Sequence, residues 1–195
     1  TAMNMTLHNE LSNTQMSTVS LHDEAYYAAV MRATILENPW IPHDPTPKQA
    51  NFLLMPNIEV LFGGSAGGGK SDALLMAALQ YVDAPGYAAI LFRRTYTDLA
   101  LPGALMDRAH EWLQGTEARW SERNKTWTFP SGATLSFGYL ESENDKYRYQ
   151  SAEFQFIGFD ELTQFTETQY RYLFSRLRRL EGSSIPLRMR AASNP

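Results

Sequence analysis

The chain reads as an α/β fold: a mostly parallel sheet flanked by helices, with an inserted β-hairpin. Three observations predict it. The apolar run at residues 58–62 is followed by a glycine-rich stretch and a helix-forming segment; a second apolar run follows at 88–94; a third, at 154–159, runs into Asp160-Glu161. Strand, helix, strand implies a right-handed parallel crossover, because a right-twisted strand feeding a right-handed helix packs back onto the sheet that way.

Residues 1–18 are polar and irregular and read as a flexible N-terminal segment, with residues 19–195 as one domain. Residues 20–37 carry Ala25, Ala29, Val30, Ala33 and Leu36 at helical spacing and stop before Asn38-Pro39, which predicts a helix packed on the core. Pro42, Pro45 and Pro47 forbid regular structure ahead of Lys48-Gln49 and stiffen the approach to the first strand. A helix is expected over 70–82 and another over 98–113, where Pro102 is tolerable only in the first turn. Residues 127–129 and 133–137, separated by Pro130-Ser131-Gly132, form a hairpin. An arginine-bearing helix over 166–180 and a strand over 187–192 complete the pattern, before Ser193-Asn194-Pro195.

The chain has 195 residues with 44% hydrophobic and 12% aromatic composition, which indicates a globular domain with a sizeable core. No apolar run approaches the roughly 18 residues that span a bilayer, and the start lacks the basic-then-apolar order of a signal peptide, so the expectation is a soluble, intracellular protein without a membrane partner. The absence of cysteine excludes disulfides and thiolate metal sites, and the four histidines have no ligand spacing; no structural metal is expected. The net charge of −4 argues against a chain that coats nucleic acid indiscriminately. Its basic residues are uneven, however: only Arg32 and Lys48 precede residue 60, whereas Arg171, Arg176, Arg178, Arg179, Arg188 and Arg190 crowd the end. A solvated helix face and a contact with phosphate backbone or another subunit are both open readings of that cluster.

Gly64-Ser65-Ala66-Gly67-Gly68-Gly69-Lys70-Ser71 fits the P-loop pattern G-x-x-x-x-G-K-[ST] in full. Between a strand and a helix, such a loop turns successive backbone N–H groups toward phosphate oxygens, while Lys70 supplies a point charge for the β- and γ-phosphates. Ser71 would place its hydroxyl on the Mg²⁺ that accompanies ATP. An apolar strand ending in Asp-Glu supplies the other half: Asp160 can hold Mg²⁺ through water, and Glu161, pointing elsewhere, can polarise the attacking water as general base. Gln49 has an amide able to pair with both edges of adenine, which would favour ATP, or it is a solvated residue on a short helix. Asn194 either hydrogen-bonds the γ-phosphate or its water, or ends the strand in an ordinary turn.

The combined motifs resemble those of the large terminase subunits of tailed phages, whose ATPase domains are RecA-like P-loop NTPases of the ASCE class. The resemblance covers residues 40–195. It rests on Thr46-Pro47-Lys48-Gln49, the P-loop, Phe92-Arg93-Arg94-Thr95, the hairpin around Phe129-Pro130-Ser131-Gly132, Tyr149-Gln150-Ser151 leading into Phe156-Ile157-Gly158-Phe159-Asp160-Glu161, and Ser193-Asn194-Pro195. It implies a motor ATPase that drives double-stranded DNA into a procapsid, as a homo-oligomeric ring on the portal with a small terminase subunit, in the host cell cytoplasm. Asn194 would then match the coupling motif, and a C-terminal RNase H-like endonuclease would belong to the full-length protein. The family also supplies an arginine within or between subunits; the loop interior here has none, so Arg148, then Arg176 or Arg178, are the candidates. Ser151 stands where members often have glycine. The alternatives are a RecA-like DNA helicase or remodeller, against which the hairpin argues, and a non-hydrolysing nucleotide-gated assembly module, against which Glu161 argues.

Overall fold

Helix α1 (Pro47–Leu54) opens on a reciprocal cap: the Thr46 hydroxyl accepts the Gln49 N–H, and the Gln49 side-chain carbonyl accepts the Thr46 N–H. Pro47 sits in the first turn, where its missing donor is not needed. The computed structural model describes residues 38–194 except Ala66 and Gly68. The segment 1–18, the helix over 20–37, the domain boundary at residue 19 and Pro195 therefore lie outside the described residues.

Strand β1 (Glu59–Gly63) feeds the glycine-rich loop and helix α2 (Lys70–Leu79), and β2 (Ala88–Arg93) follows. Next come α3 (Tyr96–Ala100), α4 (Leu105–Leu113) and three strands, β3 (Arg119–Ser121), β4 (Thr126–Thr128) and β5 (Thr134–Tyr139). A 3₁₀ segment (Glu143–Tyr149) leads toward β6 (Phe156–Asp160), then α5 (Glu167–Phe174) and β7 (Arg188–Ser193). One seven-stranded sheet results, in the order β1-β7-β6-β2-β5-β4-β3. Its first five strands are parallel, and β4 and β3 join antiparallel. The expected hairpin is present as β4 and β5 and is continuous with the main sheet through the β2 pairing; β3 is an extra strand that the sequence pattern does not announce.

Three elements differ from the sequence reading. The helix expected over 98–113 is broken in two, because Pro102 holds Leu101 in extended backbone and Gly103 takes a φ of 76°. The Asp107 carboxylate then accepts the Gly103 N–H at 2.7 Å and fixes the start of α4. The helix expected over 70–82 ends at Leu79. The helix expected over 166–180 ends at Phe174, so of the late arginines only Arg171 lies on it, exposed and paired with Glu167 at 2.7 Å. Arg188 and Arg190 are buried inside β7, so the cluster is not one solvated helix face. Ser151 lies in a turn without a positive φ, which serine adopts freely.

Helix α2 is apolar on nearly every side, and Ala73 through Leu79 are fully buried. It packs on β6 and β7. Burying Leu74, Leu75, Met76 and Leu79 at about 1.5–3 kcal/mol each anchors the helix that ends the phosphate loop. The opposite face of the sheet buries Ile90, Phe92, Ile157, Phe159, Met189 and Ala191 with Leu173 of α5. Phe159 stacks on Phe92 at 5.4 Å, meets Phe165 edge-on and packs against the tilted ring of Tyr170, which fixes the strand that ends in Asp160.

Candidate active site

The C-terminal ends of β1, β2, β6 and β7 share one edge of the parallel sheet, the usual ligand edge of open α/β folds. A cavity of about 400 Å³ opens there, lined by Gly67, Gly69, Lys70, Ser71 and Asp72 of the loop and α2, and by Glu161 and Asn194 at the ends of β6 and β7. Gly103 and Arg108 reach it from the turn before α4 and from α4 itself. Cavities of about 570 Å³ beside Thr116 and Phe129, and about 530 Å³ beside Glu59 and Tyr170, have no comparable convergence of loop amides, cation and carboxylates.

Gly69 caps α2 with a φ of 71°, a left-handed conformation that glycine takes without strain. A Cβ there would also meet the Gln49 amide nitrogen at 2.5 Å. That nitrogen donates to the Gly69 carbonyl at 2.8 Å, so buried Gln49 ties α1 to the loop and both ends of its amide are engaged. The Lys70 ammonium, buried, donates to the carbonyls of Gly64 at 3.1 Å and Ser65 at 2.7 Å, which holds it inside the loop's curve. Lys48 steadies the approach to the loop by donating to the Gly63 carbonyl above the Phe62 ring. The N-terminus of α2 faces the cavity, adding unpaired N–H groups and the positive end of the helix dipole.

The Ser71 hydroxyl donates to Asp160 Oδ2 at 3.2 Å across 89 residues of sequence. These hard oxygen donors at the mouth of a phosphate loop suit Mg²⁺, which takes few protein ligands and completes its shell with water and phosphate. Glu161 takes φ 55° and ψ 58°, one of two non-glycine residues with positive φ among those described. Such strain of about 1–3 kcal/mol collects at functional positions, and here it turns Glu161 off the strand direction, away from Asp160's role. Arg93, which in the sequence ends a buried strand and belongs to the Phe92-Arg93-Arg94-Thr95 motif without being assigned to the site, donates Nη1 to Asp160 Oδ2 at 3.0 Å and lies 3.9 Å from Glu161 Oε1. Its Nε is buried without a partner among the described residues.

The other sequence candidates are placed differently. Asn194 lines the cavity with Glu161. Arg148 does not: it donates to the Tyr139 carbonyl at 2.9 Å, covers the Tyr139 ring at 4.4 Å and pairs with Asp145. Arg176 and Arg178 also lie outside the cavity lining, engaged with nearby carbonyls such as those of Gln150 and Ser175.

Comparison with known proteins agrees with this geometry. No curated protein sequence matches the chain. Among solved structures, the large terminase from a thermophilic bacteriophage superposes with a TM-score of 0.58 at 14% identity, covering 77% of this chain and 39% of that one. The HK97 bacteriophage large terminase gives 0.59 at 10% identity, covering 78% and 34%. The Thermus phage P74-26 large terminase ATPase domain gives 0.57 at 14% identity, covering 80% and 67%. The chain thus spans little more than a third of the first two proteins, and at these identities the likeness establishes the fold: the P-loop ASCE architecture of terminase ATPase domains. The sequence itself matches the family described as terminase large subunit, T4likevirus-type, N-terminal, over residues 61–194. With that match spanning the loop, the Asp160-Glu161 edge and Asn194, the chain belongs to the family of T4likevirus-type terminase large subunits, in its N-terminal part.

Proposed function

We propose that this domain hydrolyses ATP with Mg²⁺ and thereby drives double-stranded DNA into a viral procapsid. The contact that carries the reading is Ser71 Oγ to Asp160 Oδ2 at 3.2 Å, with Lys70 and Glu161 lining the cavity beside it. Terminase membership favours a packaging motor over a helicase. The large terminase of the thermophilic bacteriophage, of the same fold, has been solved in complex with ADP and with ATP-γ-S, which supports nucleotide as the ligand.

In this reading the loop amides of residues 64–69 cradle the phosphates and Lys70 turns its ammonium from the Gly64 and Ser65 carbonyls to phosphate oxygens. Ser71 and Asp160 would hold Mg²⁺, which would supply charge neutralisation at the phosphates. Glu161 accepts the proton of the attacking water. Gln49 reads adenine by exchanging the Gly69 carbonyl for the base, so base recognition and loop position are linked through one amide. Asn194, at the end of the strand between β1 and β6, couples the state of the γ-phosphate to movement. Arg148 serves a neighbouring subunit's site in the ring on the portal, which requires it to leave Asp145 and Tyr139. A small subunit, an endonuclease elsewhere in the longer protein, and the host cytoplasm as the place of action complete the proposal.

Lys70→Ala is expected to weaken Mg²⁺-ATP binding by more than about 100-fold, since it removes about two charge-assisted hydrogen bonds worth about 1.5–3 kcal/mol each. Calorimetric titration measures it; unchanged affinity would remove the nucleotide assignment. DNA binding by the domain is expected to be weak, salt-sensitive and independent of sequence, because the chain carries a net charge of −4 and its Arg188 and Arg190 are buried. Salt titrations on two unrelated duplexes test this. A clear preference for one sequence, or affinity that persists at high salt, contradicts the motor.

A further inference from the structure

We propose that Arg108 is a second phosphate-binding cation of the cavity, held on Asp72 until a nucleotide draws it away. The inference rests on the reading of the cavity as a nucleoside triphosphate site. Among the described residues that line it, Lys70 and Arg108 are the cations and Asp72 and Glu161 the anions. A triphosphate stays anionic with its Mg²⁺, and Asp160 adds a further buried carboxylate already shared with Arg93. Lys70 and Arg93 together still leave that collection of charge negative. A second cation that reaches the phosphates lowers the cost of assembling it.

The geometry gives Arg108 the means. Its Nε lies 3.4 Å from Asp72 Oδ1, longer than the 2.7–2.9 Å of a strong charge-assisted bond, and both Nη groups lack a partner among the described residues. The guanidinium fork, which matches two phosphate oxygens at once, is thus unengaged among the described residues. Asp72 directly follows Ser71, so the guanidinium is parked one residue from the hydroxyl assigned to the metal. Its backbone needs no movement: the Asp107 carboxylate accepts the Gly103 N–H at 2.7 Å, and Leu105, Ala109 and Trp112 of the same helix are buried. The Arg108 side chain is 39% exposed, free enough to change rotamer. When it leaves, Asp72 keeps His43 Nε2 at 3.8 Å from its other oxygen.

The alternative role is a plain ion pair tying α4 to α2, and the two roles differ in what Asp72 does. If Asp72 parks the cation, Asp72→Asn releases it and tightens triphosphate binding only while Arg108 is present; if the pair is structural, that change lowers the melting temperature and any gain in affinity persists without Arg108. The experiment is calorimetric titration of Mg²⁺-ATP-γ-S into wild type, Arg108→Ala, Arg108→Lys, Asp72→Asn and the Asp72→Asn/Arg108→Ala double variant, with thermal melts alongside. Expected are about tenfold weaker binding in Arg108→Ala, partial recovery in Arg108→Lys, and about threefold tighter binding in Asp72→Asn that vanishes in the double variant. Affinities of Arg108→Ala and Asp72→Asn within about twofold of wild type would overturn the inference and leave the nucleotide reading intact. So would an Asp72→Asn effect that persists without Arg108. Wild-type protein that binds no ATP-γ-S would overturn both. Should Arg108→Ala fail to fold, the Asp72→Asn titration alone decides: unchanged or weaker binding overturns the inference.

Discussion

Glu161→Gln is expected to bind ATP as tightly as the wild type and to hydrolyse it about 10³-fold more slowly, within the range that a positioned general base contributes. The substitution keeps the side chain's shape and removes its ability to take a proton. Asp160, Ser71 and Lys70 keep their contacts, which run through the Ser71 hydroxyl, Arg93 Nη1 and the loop carbonyls. The strained backbone at φ 55° belongs to the turn that carries the carboxylate off the β6 direction, and glutamine inherits it. Glu161→Gly should relieve that strain, melting no lower than wild type while being equally inactive. A single-turnover assay with bound ATP persisting in Glu161→Gln is the supporting result. Turnover like the wild type would move the base elsewhere, and lost binding would make Glu161 a metal or folding residue.

Arg190→Ala is expected to cost about 3–5 kcal/mol of stability, lowering the melting temperature by roughly 10 °C. Arg190 is fully buried without a carboxylate partner among the described residues. Instead its Nη groups donate to the carbonyls of Met55, Asn57, Ile58 and Met189 at 2.9–3.3 Å. Burial first, and the neighbouring Arg188 cation second, push its pKa down to about 9, so it remains charged at neutral pH. That placement is tolerable because the carbonyls replace water: those of Met55, Asn57 and Ile58 lie between α1 and β1, and the Ile58 carbonyl also accepts the Met189 N–H at 2.7 Å. Alanine removes the donor and opens a cavity together. Arg188 repeats the device, donating to the Leu53 carbonyl at 2.8 Å and to Gln80 Oε1 at 2.7 Å. A melt of Arg190→Ala within about 2 °C of wild type would mean that water takes over these carbonyls.

The two halves of the proposed phosphate site were legible in the sequence because each is covalently local. Gly64 to Ser71 needs only its own backbone torsions to form a phosphate-binding turn, and Asp160-Glu161 is fixed by the end of one apolar strand. The parallel architecture was legible for the same reason, since apolar runs and crossover handedness depend on local pattern. Where local propensity met a competing local signal the reading slipped: Pro102-Gly103 divides one helical pattern into α3 and α4, and the arginines after Phe174 do not continue α5.

Only the tertiary structure decided which distant charges meet. Arg93 reaches Asp160 because β2 pairs with β6 in the register that sets Phe92 beside Phe159, and a one-residue slip would turn it to the other face. Arg108 enters the cavity because the turn at Gly103 aims α4 at the Asp72 end of α2. Arg188 and Arg190, which the sequence left open between a solvated face and an external contact, are buried because they donate to backbone carbonyls of a segment more than 130 residues earlier. Strand register and the destination of backbone hydrogen bonds are properties of the packed chain, and no window of neighbouring residues contains them.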